Sequence, residues 1–281
     1  MTTAASPAPA SNPATSQALK ALRLPSMVRC WQDLAREATE LAWTHERFLG
    51  ALCELELAER TNRRLAAHLM AAKLPPGKRL DSFDFSLVPG LSRPRVEALC
   101  TGDWVKAHGN CLLFGGSGTG KSHAAAAIGY GLIEAGFSVL YVRTNDLVQR
   151  LQAARRDLAL PVLLAKLDRI DCLILDDLGY VQKDHSESGM LFELIAERYE
   201  HRSLIITCDR PFADWESIFA DKTMTVAAID RLVHHATILE FGSESYRKRA
   251  AAATALQPRT VSPPTAAKPR HAGRKPTNRA Q

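Results

Sequence analysis

An eight-residue stretch, Gly115-Gly116-Ser117-Gly118-Thr119-Gly120-Lys121-Ser122, constrains this chain more than any other feature. It matches G-x-x-x-x-G-K-[ST] in full, and its flanks match too: an apolar, β-rich run over 110–114 enters it and an Ala-rich helical pattern over 121–135 leaves it. Glycines let backbone N–H groups close around phosphate oxygens, and the N-terminus of the following helix adds positive potential. Lys121 is placed to reach the terminal phosphates of a nucleotide, and the Ser122 hydroxyl to bind Mg2+. The adjoining His123 completes the candidate nucleotide-binding set.

The rest of the chain is ordered around that loop. Short apolar runs at 138–142, 172–175, 204–207 and 237–241 read as strands, with helical patterns at 146–156, 187–201 and 227–235. Strands separated by helices require crossover connections and therefore a mainly parallel sheet covered on both faces. Upstream, residues 18–79 are helical and rich in Ala, Leu, Arg and Glu. Met27, Trp31, Leu34 and Ala35 give one stripe, and Phe48, Leu52 and Leu55 another, with Thr44 as the N-cap between them. Pro75, Pro76 and Gly77 break the pattern before Leu80–Phe85, an extended aromatic segment expected to dock on the following domain. The fold class is α/β, a P-loop domain at 80–250 preceded by a small all-α domain at 18–79. Ala/Ser/Pro/Thr-rich residues 1–17 read as a disordered lead-in.

A second chemical element follows at Leu173-Ile174-Leu175-Asp176-Asp177, an apolar strand that ends in two carboxylates. Downstream of a full phosphate loop, Asp176 is the candidate metal ligand, a Walker-B acid, with Ser122 as its partner. Asp177 is the candidate general base that polarises an attacking water.

Charge separates the chain into a body and a tail. Residues 251–281 hold Arg259, Lys268, Arg270, Arg274, Lys275 and Arg279 and no acid; subtracting those six from 36 leaves 30 basic residues against 30 acidic. A Pro/Ala-rich basic tail reads as disordered and able to touch nucleic acid nonspecifically, or as a solubilising tail with no partner. Six cysteines lie scattered without C-x-x-C spacing, which reads as free thiols of a cytosolic protein rather than disulfides or zinc ligands. No apolar run approaches the roughly 20 residues that span a bilayer.

With Leu204-Ile205-Ile206-Thr207-Cys208-Asp209 and Ile229-Asp230-Arg231-Leu232, these elements resemble the AAA+ ATPase superfamily. The wider similarity is to the IstB-type helper ATPases of insertion-sequence transposition, related to DnaC-type helicase loaders. It runs from Leu22 to Arg249 through Leu24-Pro25-Ser26-Met27, Glu54-Leu55-Glu56-Leu57-Ala58-Glu59-Arg60, Phe83-Asp84-Phe85, Val233-His234-His235 and Glu244-Ser245-Tyr246-Arg247. The resemblance implies ATP and Mg2+ as cofactors, a homo-oligomer with nucleotide between subunits, binding and remodelling of duplex DNA, and a partner transposase. It implies Arg231 as an arginine finger acting in trans and Arg247 as a sensor-II contact in cis. Two positions depart from the family pattern. Asp209 stands where the sensor is usually Asn, which leaves Thr207 as the acting polar residue; Asp177 stands where many members have Glu, which implies slow turnover. DNA contacts are assigned to Arg60, Arg63 and Arg64 on one helix on the strength of the resemblance, although on sequence alone a solvated face paired with Glu54, Glu56 and Glu59 suits them slightly better. A helicase loader and a nucleotide-gated scaffold with little hydrolysis remain as alternative functions.

Overall fold

The computed structural model describes residues 13–179, 185–219 and 221–242. Three helices come first: α1 (Pro13–Ala21), α2 (Pro25–Glu40) and the long α3 (His45–Ala72). The helix starting at Pro13 occupies part of the segment expected to be disordered, and Trp31 Nε1 of α2 ties it down through Ser16 Oγ at 3.1 Å. Thr44 caps α3 as expected, its hydroxyl accepting from the Arg47 N–H at 3.2 Å. The buried stripe of α3 differs from the expected one. Leu52 is buried, Leu55 is exposed, and the next core position belongs to Glu56, only 3% exposed.

Glu56 is tolerated there because it finds donors. Its carboxylate accepts from the Ser26 and Met27 N–H groups at 2.7 and 3.2 Å, satisfying the first turn of α2, and from Arg63 Nη2 at 3.0 Å. Burial pushes this carboxyl up, but the Met27 and Ser26 amides, with the Arg63 charge, outweigh it and hold it below the usual carboxylate range.

After Lys73, in left-handed backbone at the end of α3, the chain crosses to the part that holds the sheet. The aromatic segment docks as expected, but as two 3-10 turns, Leu80–Ser82 and Phe85–Leu87, rather than as an extended strand. Asp84 fixes the second turn by accepting from the Ser86 N–H at 3.0 Å. Then follow α4 (Arg93–Cys100), α5 (Asp103–Lys106), β1 (Asn110–Phe114), α6 (Lys121–Glu134), β2 (Val139–Arg143), α7 (Thr144–Arg156), α8 (Leu160–Asp168), β3 (Cys172–Asp176), α9 (His185–Arg198), β4 (Ser203–Cys208), a 3-10 turn (Phe212–Ser217), α10 (Lys222–Val233) and β5 (Ala236–Glu240).

The five strands are parallel in the order β2-β3-β4-β1-β5. Helices cover both faces, as a parallel sheet requires. One core packs α4 and α6 with Phe83 against Cys111, Leu113 and Ile174; the other packs α7, α9 and α10 against Leu112, Leu173 and Ile206. Alternate residues of the same strands thus point to opposite cores. The end of α10 is set by Asp221, which accepts from the Thr223 and Met224 N–H groups, so this helix starts five residues earlier than the sequence pattern suggests. The six cysteines are free thiols, with Cys111, Cys172 and Cys208 buried. Among the described residues no helix is long and apolar enough to cross a membrane.

Candidate functional site

The site follows from the strand order. Because β4 lies between β1 and β3, the carboxyl ends of those three strands meet at one edge, where the connection reverses direction across the sheet. The phosphate loop leaves β1 there, Asp176 closes β3, and Thr207 and Cys208 close β4 in register with Leu113 and Phe114.

The loop backbone needs glycine at specific places. Gly115 has φ of +149°, and a Cβ there would lie 2.6 Å from the Phe241 carbonyl oxygen. Gly120 has φ of +102° at the start of α6. Lys121, 5% exposed, turns back over the loop and donates to the Gly115 and Gly116 carbonyls at 2.6 and 2.8 Å. Burial pushes its ammonium group down from the usual lysine range, while Asp209, Asp177, Cys208 and Asp176 pull it back up. Thr119 closes the turn by donating to the Gly116 carbonyl at 2.9 Å.

Opposite the lysine is an ordered acidic pair. Asp176 is 3% exposed, and both carboxylate oxygens are engaged: Oδ1 accepts from Thr207 Oγ1 at 2.6 Å and Oδ2 from the Tyr141 hydroxyl. Thr144 donates to the Asp176 carbonyl at 3.0 Å. Thr207 Oγ1 also accepts from the Asp177 N–H at 2.9 Å, so one hydroxyl fixes both members of the pair. Asp177 sits in left-handed backbone, φ +59°, which turns its side chain out of the strand direction into the cleft. Burial, and then the neighbouring Asp176, push its carboxyl up, against the pull of Lys121.

The cleft measures about 340 Å3 and brings together Ser117, Gly118, Thr119, Gly120, Lys121, Ser122, His123, Asp177 and Asp209. Gly115 and Gly116 lie just behind it as acceptors for Lys121, and Asp176 and Thr207 form the hydrogen-bonded layer below Asp177. Its other wall comes from the docked linker: Lys78, Phe83, Asp84, Leu87 and Val88. His123 faces that wall more than the phosphates. Its ring stands edge-on to Phe83, centroids 5.2 Å apart, with Nε2 3.0 Å from the Arg79 carbonyl and 3.2 Å from Ser82 Oγ. Asp209 lies next to Gly179, where a Cβ would come within 2.8 Å of Oδ1.

The other sequence candidates lie elsewhere. Arg231 is on α10, its Nη1 donating to the Ala227 carbonyl at 2.9 Å and its guanidinium 5.2 Å from the Phe192 ring centroid. Arg247 and the basic tail fall outside the described residues. The three helical arginines do not act as one face. Arg60 and Arg63 converge on Glu56 at 3.9 and 3.0 Å, whereas an Arg64 Nη2 lies 3.4 Å from where a Gly136 Cβ would stand.

Tyr141, Thr144 and the place of the docked linker in the cleft wall escaped sequence reasoning. A tyrosine in an apolar strand reads as core, and only the register Val142↔Leu175 and Arg143↔Asp176 sets its hydroxyl beside Asp176.

This arrangement suits a nucleoside triphosphate with a divalent cation. The loop closes around a cation at a helix start, the glycines leave no Cβ in the way, and the remaining donor set is a hydroxyl and carboxylates, the hard oxygen ligands magnesium takes. Ser122 and Asp176 would hold the metal, with the Tyr141 and Thr207 hydroxyls fixing the orientation of the Asp176 carboxylate.

Comparison with known proteins agrees with this geometry. The profile of the family described as IstB-like ATP binding protein matches residues 17–254. A putative insertion sequence ATP-binding protein of Sinorhizobium fredii is 55% identical over 234 residues, covering 83% of this chain and 78% of that protein. The insertion sequence IS21 putative ATP-binding protein of Pseudomonas aeruginosa is 35% identical over 216 residues, covering 77% and 82%. Among solved structures, the DnaC helicase loader superposes with a TM-score of 0.52 at 19% identity, covering 61% of this chain and all of that one, a likeness of fold alone. The loop, the acidic strand end and the parallel sheet thus form a P-loop α/β fold shared with the DnaC helicase loader, and the chain belongs to the family of IstB-like ATP binding proteins of insertion sequences.

Proposed function

We propose that the chain is an ATP-hydrolysing helper of DNA transposition, which assembles with nucleotide between subunits, binds and remodels duplex DNA, and stimulates a partner transposase. The observation that carries this reading is the convergence of Lys121, Asp177 and Asp209 on one cleft, in a chain related to insertion sequence ATP-binding proteins. Lys121 exchanges its loop carbonyls for phosphate oxygens. Magnesium, held by Ser122 and Asp176, supplies charge neutralisation at the phosphates. Asp177 orients and deprotonates the attacking water, a role that a raised carboxyl pKa favours. Its side chain is one methylene shorter than glutamate, so turnover is slow. Thr207 and Asp209 sense the nucleotide from the end of β4.

Arg231, which is not among the residues lining the cleft and folds back on α10 toward the Ala227 carbonyl and Phe192, acts as a finger supplied in trans. Arg247 supplies the contact in cis. The protein works in the cytoplasm, where its DNA substrate and its transposase are found.

ATP turnover with and without duplex DNA, together with electron microscopy of assemblies on duplex DNA, tests this reading. Wild type is expected to hydrolyse ATP and form ATP-dependent particles on duplex DNA, and Lys121→Ala to do neither. Turnover unaffected by Lys121→Ala would refute the site. ATP binding without hydrolysis would leave a nucleotide-gated scaffold. Assembly only on single strands, with stimulation of a replicative helicase, would replace the transposition reading with helicase loading.

A further inference from the structure

A second cleft lies in the helical N-terminal region and shares no lining residue with the nucleotide site. It measures about 350 Å3 and is ringed by Lys20, Arg23, Arg29 and Arg63, which come from the end of α1, the turn that follows it, α2 and α3. The floor is apolar, made by Leu24, Pro25 and Val28.

Charge on these helices is segregated. Residues 18–29 contain three cations and no acid, whereas residues 33–47, toward the far end of the α2–α3 hairpin, hold Asp33, Glu37, Glu40 and Glu46 against Arg36 and Arg47. The two carboxylates near the cleft are already committed. Glu59 pairs with Arg29 at 3.5 Å, and Glu56 lies beneath, bonded to the start of α2 and to Arg63. Lys20 and Arg23 have no ion-pair partner among the described residues. The rim therefore presents uncompensated positive charge.

Arg23 adds an independent observation. It stands in left-handed backbone, φ +57°, after α1, with its N–H bonded to the Lys20 carbonyl at 3.0 Å and the next N–H, that of Leu24, to the Leu19 carbonyl at 3.0 Å. That pattern is the helix-ending turn in which glycine is strongly preferred, because a Cβ is strained there. An arginine at such a place puts its guanidinium on the rim of the cleft at a conformational cost that glycine would avoid.

We propose that this cleft grips the phosphodiester backbone of duplex DNA, with Lys20 and Arg23 as the principal contacts and Arg29 and Arg63 behind them. The proposal rests on the duplex-DNA reading above. Besides its four cations and three apolar residues the lining holds Ser26 and the Arg29-paired Glu59, and a rim of cations around an apolar floor suits phosphate oxygens and sugar, so the contact is assigned to the backbone rather than to the bases. It replaces the trio Arg60, Arg63 and Arg64 with a set gathered from three helices and a turn, of which only Arg63 is shared.

Arg23→Gly provides an unusual test, since it removes the cation while relieving the backbone. Binding of the full-length protein to a labelled duplex of arbitrary sequence is measured by fluorescence anisotropy over a series of KCl concentrations, for wild type, Lys20→Ala, Arg23→Gly and the double variant. Each single change is expected to weaken binding uniformly across sequences and to reduce the slope of log K against log salt by about 1, the double variant by about 2. Arg23→Gly should melt no lower than wild type, and affinity for a fluorescent ATP analogue should be unchanged in all. Wild-type affinity and slope in the double variant would overturn the proposal while leaving duplex binding intact. Failure of wild type to bind duplex would remove both. Variants that keep duplex affinity but lose only their response to the transposase would make the cleft a seat for an acidic protein segment instead, again overturning it.

Discussion

Thr207→Val removes one hydroxyl and leaves the shape of the side chain nearly unchanged, so it isolates the junction between β3 and β4. That hydroxyl donates to Asp176 Oδ1 at 2.6 Å and accepts from the Asp177 N–H at 2.9 Å, in a residue with no exposed surface. Loss of a hydrogen bond to a charged acceptor costs about 1.5–3 kcal/mol, and a buried amide left without an acceptor about 1–3 kcal/mol. Burying the extra valine methyl returns roughly 1 kcal/mol. The net loss is about 2–5 kcal/mol, a large part of the stability of an ordinary domain. At about 2–4 °C per kcal/mol for a domain of this size, the melting temperature falls by roughly 5–20 °C. Thr207→Ser keeps the hydroxyl, loses one methyl and should cost only about 1 kcal/mol. Calorimetric melts without nucleotide separate the two. A Thr207→Val protein melting within about 2 °C of wild type, or one no worse than Thr207→Ser, would show that the hydroxyl bridge does not organise the acidic pair.

Four further outcomes are expected. Lys121→Ala should weaken binding of a fluorescent ATP analogue by about 100-fold or more while keeping the wild-type circular dichroism spectrum; a change under about threefold would remove the lysine from phosphate binding. Asp177→Asn should stop turnover and raise the melting temperature at about pH 8. The folded protein raises this carboxyl's pKa, so its ionisation opposes folding above the usual carboxylate range, and the gain should vanish at about pH 4. Glu56→Gln should speed amide hydrogen exchange at Ser26 and Met27. Because the folded state lowers the pKa of Glu56, its stabilisation is present above the usual carboxylate value and fades as pH falls through the lowered one, so equal exchange rates at neutral pH would contradict the capping role. Arg231→Ala should bind ATP normally yet hydrolyse it poorly, and mixing it with Lys121→Ala subunits should restore some turnover; mixtures without any activity would argue against a shared site.

Local signals carried the sheet and the phosphate loop into view. Leu173-Ile174-Leu175 and Leu204-Ile205-Ile206 are apolar on both faces because helices cover both sides of a parallel sheet, and such runs announce themselves. The helices α4 and α8 did not, since each is short and carries a proline in its first turn, which reads as a break. Glu56 misled for a different reason. Its place in a helical stripe says core, its chemistry says surface, and only the approach of the α2 N-terminus, thirty residues earlier in sequence, reconciles them. The site shows the same division. Gly115 to Ser122 and Asp176-Asp177 are contiguous and legible, whereas the hydroxyls that orient Asp176 come from Tyr141 and Thr207 on two neighbouring strands. Strand order is the missing information, and it is a property of the whole sheet.

The segment after α3 lies along α6 and joins the wall of the nucleotide cleft to the end of the helical region. From Ala72, fully buried at the end of α3, the chain passes Leu74, whose Cδ2 lies 3.0 Å from where a Gly129 Cβ would stand on α6. The Pro75 carbonyl accepts from the Tyr130 hydroxyl at 3.3 Å, and the Arg79 guanidinium covers the Tyr130 ring at 4.5 Å while pairing with Glu134 at 3.1 Å. Phe83 then closes against Gly120 and His123, at the first turn of the helix that begins with Lys121. These contacts run along α6 and the glycine that precedes it, from the cleft wall to the end of α3. Lys121, held by its loop carbonyls, opens α6 at the turn on which Phe83 rests. The linker therefore packs along α6 from the end of α3 to the phosphate loop, and the wall of the cleft and the last turn of α3 lean on the same helix, which is why neither contact could be read from its own stretch of sequence.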